Sequence, residues 1–470
     1  MTVINDIERV VNGFIWGPVM LVLLVGTGIY LSIATGFPQF LKFGYMWRNT
    51  IGKVFHHKGS AGKGEITPFQ AVSTALASTV GTGNIVGVTT AIVMGGPGAV
   101  FWMWISAIFG MVTKYAEVVL AVKYRERNDR GDWVGGPMYY IKNGLGKRWK
   151  WMGGVFCFFG FTAAMFGIGN LTQINSIAGS VNTVAQAFNP AAAQDELTIS
   201  MVVGIVIATF VAVVLIGGVK RIGSVTERLV PFMAAIYIVC ALIVVGANAG
   251  RLGEVFGMIF TGAFTPAAVT GAATGITIRV AMTKGVARGV FSNEAGLGSA
   301  PIAHASSSER DPVKQGLYGI FEVFMDTIII CTLTALVVLC GSNPAWGNDG
   351  MAGVATTVQG FASVFGEKAG SLLLAVGLLL FATSTILGWA LYGTRCIEFL
   401  FGPKARRPYE IVFCLMIVVG SVTELKTVWN WADTLNGLMM LPNLIAVLLL
   451  SPVVFKLTRE HFKGAKARKE

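Results

Sequence analysis

Apolar residues along this chain gather into long uninterrupted runs, not the alternating or one-sided patterns of soluble strands and helices. Runs long enough to cross a hydrocarbon core of roughly 30 Å lie near 12–35, 67–94, 97–124, 150–188, 198–218, 222–248, 267–305, 312–341, 366–396, 407–424 and 430–457. The pattern predicts an all-α integral membrane protein with about 11 transmembrane helices. The runs near 150–188 and 267–305 exceed one straight span, so each is expected to include an interfacial or external stretch. Gly95-Gly96-Pro97-Gly98 predicts a tight hairpin. In the longest polar stretch, Lys123 to Lys150, Gly135-Gly136-Pro137-Met138-Tyr139-Tyr140-Ile141 reads as a turn followed by a helix at the membrane surface.

Two of the runs are interrupted. The first holds Ser78-Thr79-Val80-Gly81-Thr82-Gly83-Asn84, and the second Asn293-Glu294-Ala295-Gly296-Leu297-Gly298-Ser299-Ala300-Pro301. A helix that unwinds inside a bilayer must have its freed backbone groups satisfied by protein, water or a bound solute. Setting the first run aside leaves ten, which divide into five over 67–248 and five over 267–457, with a break in the first member of each five. Five is odd, so the two sets have opposite orientation, as an inverted repeat requires; paired breaks of this kind point to the solute site of a carrier. The chain is read as a single polytopic domain over 1–470, with 12–35 as an extra N-terminal helix.

Composition supports the membrane reading: 54% of the 470 residues are hydrophobic and 13% charged, against roughly 25% charged in soluble domains. The net charge of +12 would suit nucleic acid, but the basic residues crowd into alternate loops (Lys42 to Lys63, Lys123 to Lys150, Lys220-Arg221, Lys404 to Arg407, Lys456 to Lys469). By the positive-inside rule those loops are cytoplasmic, which puts the N-terminus outside and the C-terminus inside a cell (inner) membrane. The start, with Asp6 and Glu8, lacks the basic region of a signal peptide. Six cysteines without C-x-x-C spacing indicate neither zinc nor a disulfide framework. His56, His57 and His461 read as solvated loop histidines, with His304 set apart. No H-E-x-x-H or Ser–His arrangement suggests an enzyme, and two unlike breaks give no repeated ring for a channel filter.

The candidate chemistry follows from the breaks. Gly81, Gly83 and Gly87 release backbone amides and carbonyls. A half-helix starting near Asn84 would offer the N–H groups of Thr82 and Gly83 to a carboxylate. One ending near Thr79 would offer carbonyls to a small hard cation, with Ser78, Thr79, Thr82 and Asn84 adding side-chain oxygens; small residues such as Ala71, Ala75 and Ala77 equally suit close packing. At the second break Asn293, Gly296, Gly298 and Ser299 repeat the logic. Glu294 there is open to three roles: cation ligand, proton carrier, or ion pair with Arg288 or another base. Thr383-Ser384-Thr385, followed by Gly388-Trp389, either completes a cation shell or bonds back to its own helix. Asn170 and Gln173 share a helix face, and Trp389 and Phe166 can wall a small pocket or simply pack. Glu322 and Asp326, four apart, are open to pairing or proton transfer, and Glu117 is a further buried or membrane-edge acid.

Thr82-Gly83-Asn84-Ile85-Val86-Gly87-Val88, Gly96-Pro97-Gly98-Ala99-Val100-Phe101-Trp102, Gly136-Pro137-Met138-Tyr139-Tyr140 and Asn293 to Pro301 resemble the motifs of the alanine/glycine:cation symporter family, over nearly the whole chain. The resemblance implies the leucine-transporter fold with an added N-terminal helix, membership of the amino acid–polyamine–organocation superfamily, and uptake of alanine or glycine coupled to Na+, occasionally to protons. It implies that the carbonyls of Ala77 and Val80 join Ser384 and Thr385 in a cation site, the hydroxyl run also allowing a register with Thr383 in place of Thr385. It further implies a substrate carboxylate on Thr82 and Gly83, with the amino group facing Gln173 or the second break near Asn293. Thr79, Gly81, Asn84, Gly296 and Trp389 complete the expected substrate site. The partners expected are a small amino acid and the lipid bilayer, with no nucleic acid and no oligomer implied.

Overall fold

A computed structural model describes residues 10–50, 52, 61–62, 64–265, 277–342, 353–423 and 425–467. His56 and His57 lie outside the described residues, as does the start of the run placed at 267–305. The chain is a bundle of helices: α1 (Pro18–Thr35), α2 (Pro68–Thr79), α3 (Val88–Gly95), α4 (Gly98–Lys123), α5 (Lys150–Phe166), α6 (Leu171–Phe188), α7 (Glu196–Ile216), α8 (Gly218–Ala247), α9 (Leu252–Phe264), α10 (Ile278–Asn293), α11 (Pro301–His304), α12 (Pro312–Val323), α13 (Thr332–Gly341), α14 (Gly353–Phe365), α15 (Glu367–Phe401), α16 (Arg406–Ser421) and α17 (Leu425–Ala467). Among the described residues eight helices are long and apolar enough to cross a membrane, nine if α2 and α3 count as one bent span. The other two expected segments are α16 and the pair α10–α11, which that length criterion passes over.

Local chemistry sets the ends that matter. Thr67 and Gln70 form a capping box at the start of α2, with Pro68 in its first turn, where a missing N–H costs nothing. Asp311 accepts from Val313 and Lys314 to start α12. Gly96, at φ +72, turns the chain between α3 and α4, as the glycine hairpin predicts.

Central and peripheral helices differ in what they face. α4 is buried along most of its length against α10, α12 and α17, and carries buried Lys114 and Glu117. α7 exposes Met201, Val202, Ile205, Val206, Phe210, Val213 and Ile216, a face suited to lipid tails. α15, the longest central helix, packs on α2, α5, α6 and α8 and is buried without interruption from Phe381 to Glu398.

Burial and hydrogen bonding sharpen two of the sequence expectations and overturn a third. The run at 150–188 is divided: α5 stops at Phe166, and Gly167-Ile168-Gly169-Asn170 form a buried turn before α6 starts. Pro137–Tyr140 is one buried helical turn, and the Tyr140 hydroxyl bonds Asn443. His461 is not a solvated loop histidine: its ring on α17 meets Asp311 Oδ2 at 2.8 Å and Tyr45 Oη at 3.1 Å.

Candidate solute and cation site

The first break is short. α2 ends at Thr79, and the chain resumes as a widened turn over Gly83–Gly87 before α3, bent by 49° from α2. The Asn84 backbone N–H donates to Gly81 O at 3.3 Å, and its side chain makes further bonds. Its Oδ1 accepts from Gly81 N (2.8 Å), and its Nδ2 donates to Asp326 Oδ1 (2.6 Å) and Asp326 O (3.1 Å). Thr82 N donates to Gln173 Oε1 at 3.2 Å, while Gln173 Nε2 donates to Ile168 O at 2.8 Å. The Thr82 hydroxyl is buried without a partner.

α15 lies against the carboxyl end of α2. Ser384 Oγ donates to Ala77 O at 3.1 Å, and Thr385 Oγ1 to Ala77 O at 3.0 Å and Val80 O at 3.5 Å. Two carbonyls at the negative end of a helix and two hydroxyls thus meet in one place. Both hydroxyls also bond back to Phe381 O, so cation shell and back-bond are not exclusive geometries. Thr383 is elsewhere: its Oγ1 is buried with no hydrogen-bond partner and does not reach Ala77 or Val80. Ser78 and Thr79 are likewise turned into their own helix, on Thr74 O (3.0 Å) and Ala75 O (3.2 Å). A Cβ on Gly81 would collide with Thr385 Oγ1 and come 3.1 Å from Gln173 Oε1, so this position requires glycine for space.

The second break is longer. α10 ends at Asn293, Glu294 takes the left-handed conformation (φ +55), and Gly296 and Gly298 are also at positive φ before α11 begins at Pro301. The two breaks touch: a Cβ on Gly83 would lie 3.0 Å from Ser292 Cα and 3.3 Å from Phe291. Asp326 ties them together, accepting from Asn84 on one side and from Ser292 Oγ (3.1 and 3.0 Å) on the other, with Thr327 Oγ1 at 2.7 Å. It sits in a π-helical stretch, Phe324–Cys331, a widening that often marks functional positions. Asn293 Nδ2 donates to Thr327 Oγ1 at 3.0 Å.

Other expected residues fall outside this meeting point. Gly296 faces α17, its carbonyl accepting from Asn443 Nδ2 at 2.8 Å; the same amide donates to buried Glu117. Asn170 and Gln173 do not share a face, because Asn170 belongs to the turn before α6 and donates to Phe413 O at 2.9 Å. Phe166 is 40% exposed, whereas Trp389 is fully buried. Glu294 is no ion pair with Arg288. Its carboxylate accepts from Trp389 Nε1 (2.7 Å) and Ser299 Oγ, and Arg288 instead makes a two-pronged pair with Asp433 (2.8 and 2.8 Å) beneath stacked Phe291 and Trp429. Glu322 does not pair with Asp326: it takes Lys114 Nζ at 3.3 Å and His304 Nε2 at 3.1 Å, all three fully buried.

Sequence reasoning missed the turn at 167–170, which brings Gln173 to the first break, and the outer pair Arg288–Asp433. Beyond the helix ends lies a further clamp. Glu65, just ahead of α2, accepts from Arg127 (2.7 Å), Arg310 (2.6 Å) and Trp133 Nε1 (2.9 Å), and Trp133 lies under the guanidiniums of Arg125, Arg127 and Arg310. Burial works to raise the Glu65 carboxyl, but the bonds from Trp133 and Arg310 outweigh it and hold it below its ordinary value. Ile66 also bridges Ser307, so the clamp joins the segments flanking both broken helices.

Comparison with known proteins places this geometry. A model of the sodium:alanine symporter family matches residues 1–470. The chain is 46% identical to the sodium/alanine symporter AgcS of Methanococcus maripaludis, over 97% of this chain and 96% of that one. It is 38% identical to the probable sodium/glutamine symporter GlnT of Bacillus subtilis, over 100% and 93%. Among solved structures it is similar to MhsT in complex with L-phenylalanine, with a TM-score of 0.57 at 13% identity, covering 85% of this chain and 99% of that one. That likeness shows the fold, the leucine-transporter type with its five-plus-five inverted repeat, here with the extra N-terminal α1. A multi-pass membrane protein that carries amino acids, and not an enzyme, the chain belongs to the sodium:alanine symporter family.

Proposed function

We propose that this protein is a sodium-driven symporter that imports small neutral amino acids, alanine and glycine first among them, by alternating access. The observation that carries the reading is the convergence of Ala77 O, Val80 O, Ser384 Oγ and Thr385 Oγ1. Four neutral oxygens at the negative end of α2 suit a hard monovalent ion. The name of the Methanococcus relative agrees with sodium and alanine, and that of the Bacillus relative with sodium and a larger side chain.

The amino acid's carboxylate would take the place of Gln173 Oε1 on Thr82 N, with the Gly83 amide beside it, since amides at the start of a half-helix favour an anion. The amino group would face Gln173 or the second break near Asn293. Ion and substrate share the stretch Ala77 to Gly83, so each stabilises the arrangement the other needs, a coupling that is reciprocal by linkage. Repeats over 67–248 and 267–457, with the N-terminus outside and the C-terminus in the cytoplasm, belong to the same proposal.

Purified protein in liposomes tests it. We expect labelled alanine to accumulate under an inward sodium gradient with no pH gradient. Accumulation driven by a pH gradient in sodium-free buffer would instead favour a proton-coupled permease of the same fold, for which buried Glu294, hydrogen-bonded by Trp389 and Ser299, offers a carboxylate.

A further inference from the structure

Glu294 occupies a backbone conformation that ordinarily selects glycine or asparagine. Its carboxylate is completely buried, and its hydrogen-bond partners are two neutral groups, Trp389 Nε1 at 2.7 Å and Ser299 Oγ. A strained turn and a buried acid are both costly, and glycine would remove both costs. What glycine could not do is grip the indole.

Trp389 is the largest fully buried side chain among the described residues. It lies one helical turn beyond Thr385, whose hydroxyl reaches Ala77 O. On its other side the backbone of Gly169 comes so near that a Cβ there would lie 2.6 Å from the Trp389 Cβ. The residue therefore stands among the turn that positions Gln173, the hydroxyl pair of α15 and the second break. Two torsions place an indole, and one bond at its far nitrogen fixes both.

We propose that Glu294 is a positioning residue: by holding Trp389 Nε1 it fixes the indole as the wall that limits the size of the transported side chain. The inference rests on the reading that an amino acid binds between Thr82 and the second break. It adds a specificity determinant that acts through Trp389.

The test compares uptake of labelled alanine and labelled glutamine by the purified full chain in liposomes under one sodium gradient. We expect Glu294→Ala and Trp389→Phe each to lower the alanine-over-glutamine ratio of kcat/KM by about tenfold or more, through KM, with kcat for alanine within about threefold of wild type. Glu294→Gln keeps an acceptor for the indole and should restore the ratio to within about threefold. The double variant Glu294→Ala/Trp389→Phe should be no less selective than Trp389→Phe alone, because the two side chains act through one bond. A purely structural role would lower kcat for both substrates alike and leave the ratio unmoved, and that result overturns the proposal. So does a Glu294→Gln variant as unselective as Glu294→Ala. If Glu294→Ala fails to fold, an unchanged ratio in Trp389→Phe overturns it equally. Absence of wild-type uptake would overturn the transport reading alone; the size limit is then read from displacement of bound labelled alanine by glutamine, with the same variants and the same expected ratios.

Discussion

The two breaks solve one problem by opposite means. The first offers mostly neutral groups, backbone amides at 81–83, the Gln173 amide, and hydroxyls from α15 on the carbonyls of α2, with a single acid, Asp326, holding the Asn84 amide. The second is longer, uses left-handed positions at 294, 296 and 298, and is pinned by carboxylates, with Glu294 on Trp389, and Asn443 on Gly296 O and Glu117. Loose, neutral backbone groups can exchange a side chain for a solute of either sign. A break fastened at several points by buried acids, as the second is through Glu294 and Glu117, is set in place and gives rigidity to what faces it. On the proposed reading the solute's carboxylate and the ion are met at the first break, while the second, apart from any share in the amino group near Asn293, supplies walls and anchors.

That contrast can be broken most forcibly at the first break. Gly83→Leu would drive a side chain into Ser292 and Phe291, and Asn84→Ala would strip both Gly81 N and Asp326 of a partner. Each should reduce alanine uptake by about a hundredfold or more, consistent with loss of buried hydrogen bonds worth about 1–3 kcal/mol apiece, with the protein still in the membrane fraction. Uptake close to wild type in both would remove the first break from the mechanism.

A smaller effect is expected at the hydroxyls. Thr385→Val and Ser384→Ala should each raise the sodium concentration for half-maximal uptake by about tenfold, about 1.4 kcal/mol of ion binding. Because the hydroxyls are expected to meet the ion, uptake at saturating sodium should change less. Thr383→Val, whose hydroxyl reaches neither carbonyl, should leave sodium activation nearly unchanged. An equal response from all three would erase the distinction drawn within α15.

The outer pair sharpens the comparison as a matter of stability. Removing one partner of a fully buried pair costs about 3–5 kcal/mol; Asp433 is 18% exposed at its side chain, so Asp433→Asn should cost about 2 kcal/mol, read as a fall in the thermal midpoint of purified protein. The smallest effect belongs to the clamp at Glu65. Its carboxyl is held below the ordinary value of 4.5, so its stabilisation is complete above that pH and fades as pH falls through it and lower. Arg127 and Arg310 are 41% and 60% exposed, so Glu65→Gln should cost below about 1 kcal/mol, and the loss should shrink in acid.

Much of this is legible in the sequence because lipid is an unforgiving solvent. It forces backbone satisfaction, so Gly81, Gly83 and Asn84 within a spanning run announce a break by residue type and position alone. The same signal, two glycines and an asparagine, stands at Gly167, Gly169 and Asn170. There it is masked, because an over-long run has a ready explanation in an external stretch, and glycine also serves helix packing. The partners of the charged groups are not legible. Arg288 and Asp433 are 145 positions apart, Asn84 and Asp326 are 242 apart, and helical spacing orders neighbours only within a turn or two. Glu322 and Asp326 show the limit well: four apart, they predict a common face, yet one is bound to Lys114 and His304 and the other to the two breaks.

The measurement that bears most directly on all of this is uptake of labelled alanine into sodium-free liposomes holding the purified protein, driven by sodium added outside at equal pH. Accumulation above the external concentration, with Thr385→Val shifted to higher sodium, is the predicted result. Equilibration without accumulation, or accumulation indifferent to sodium, would contradict the assignment of an ion to the carbonyls of Ala77 and Val80.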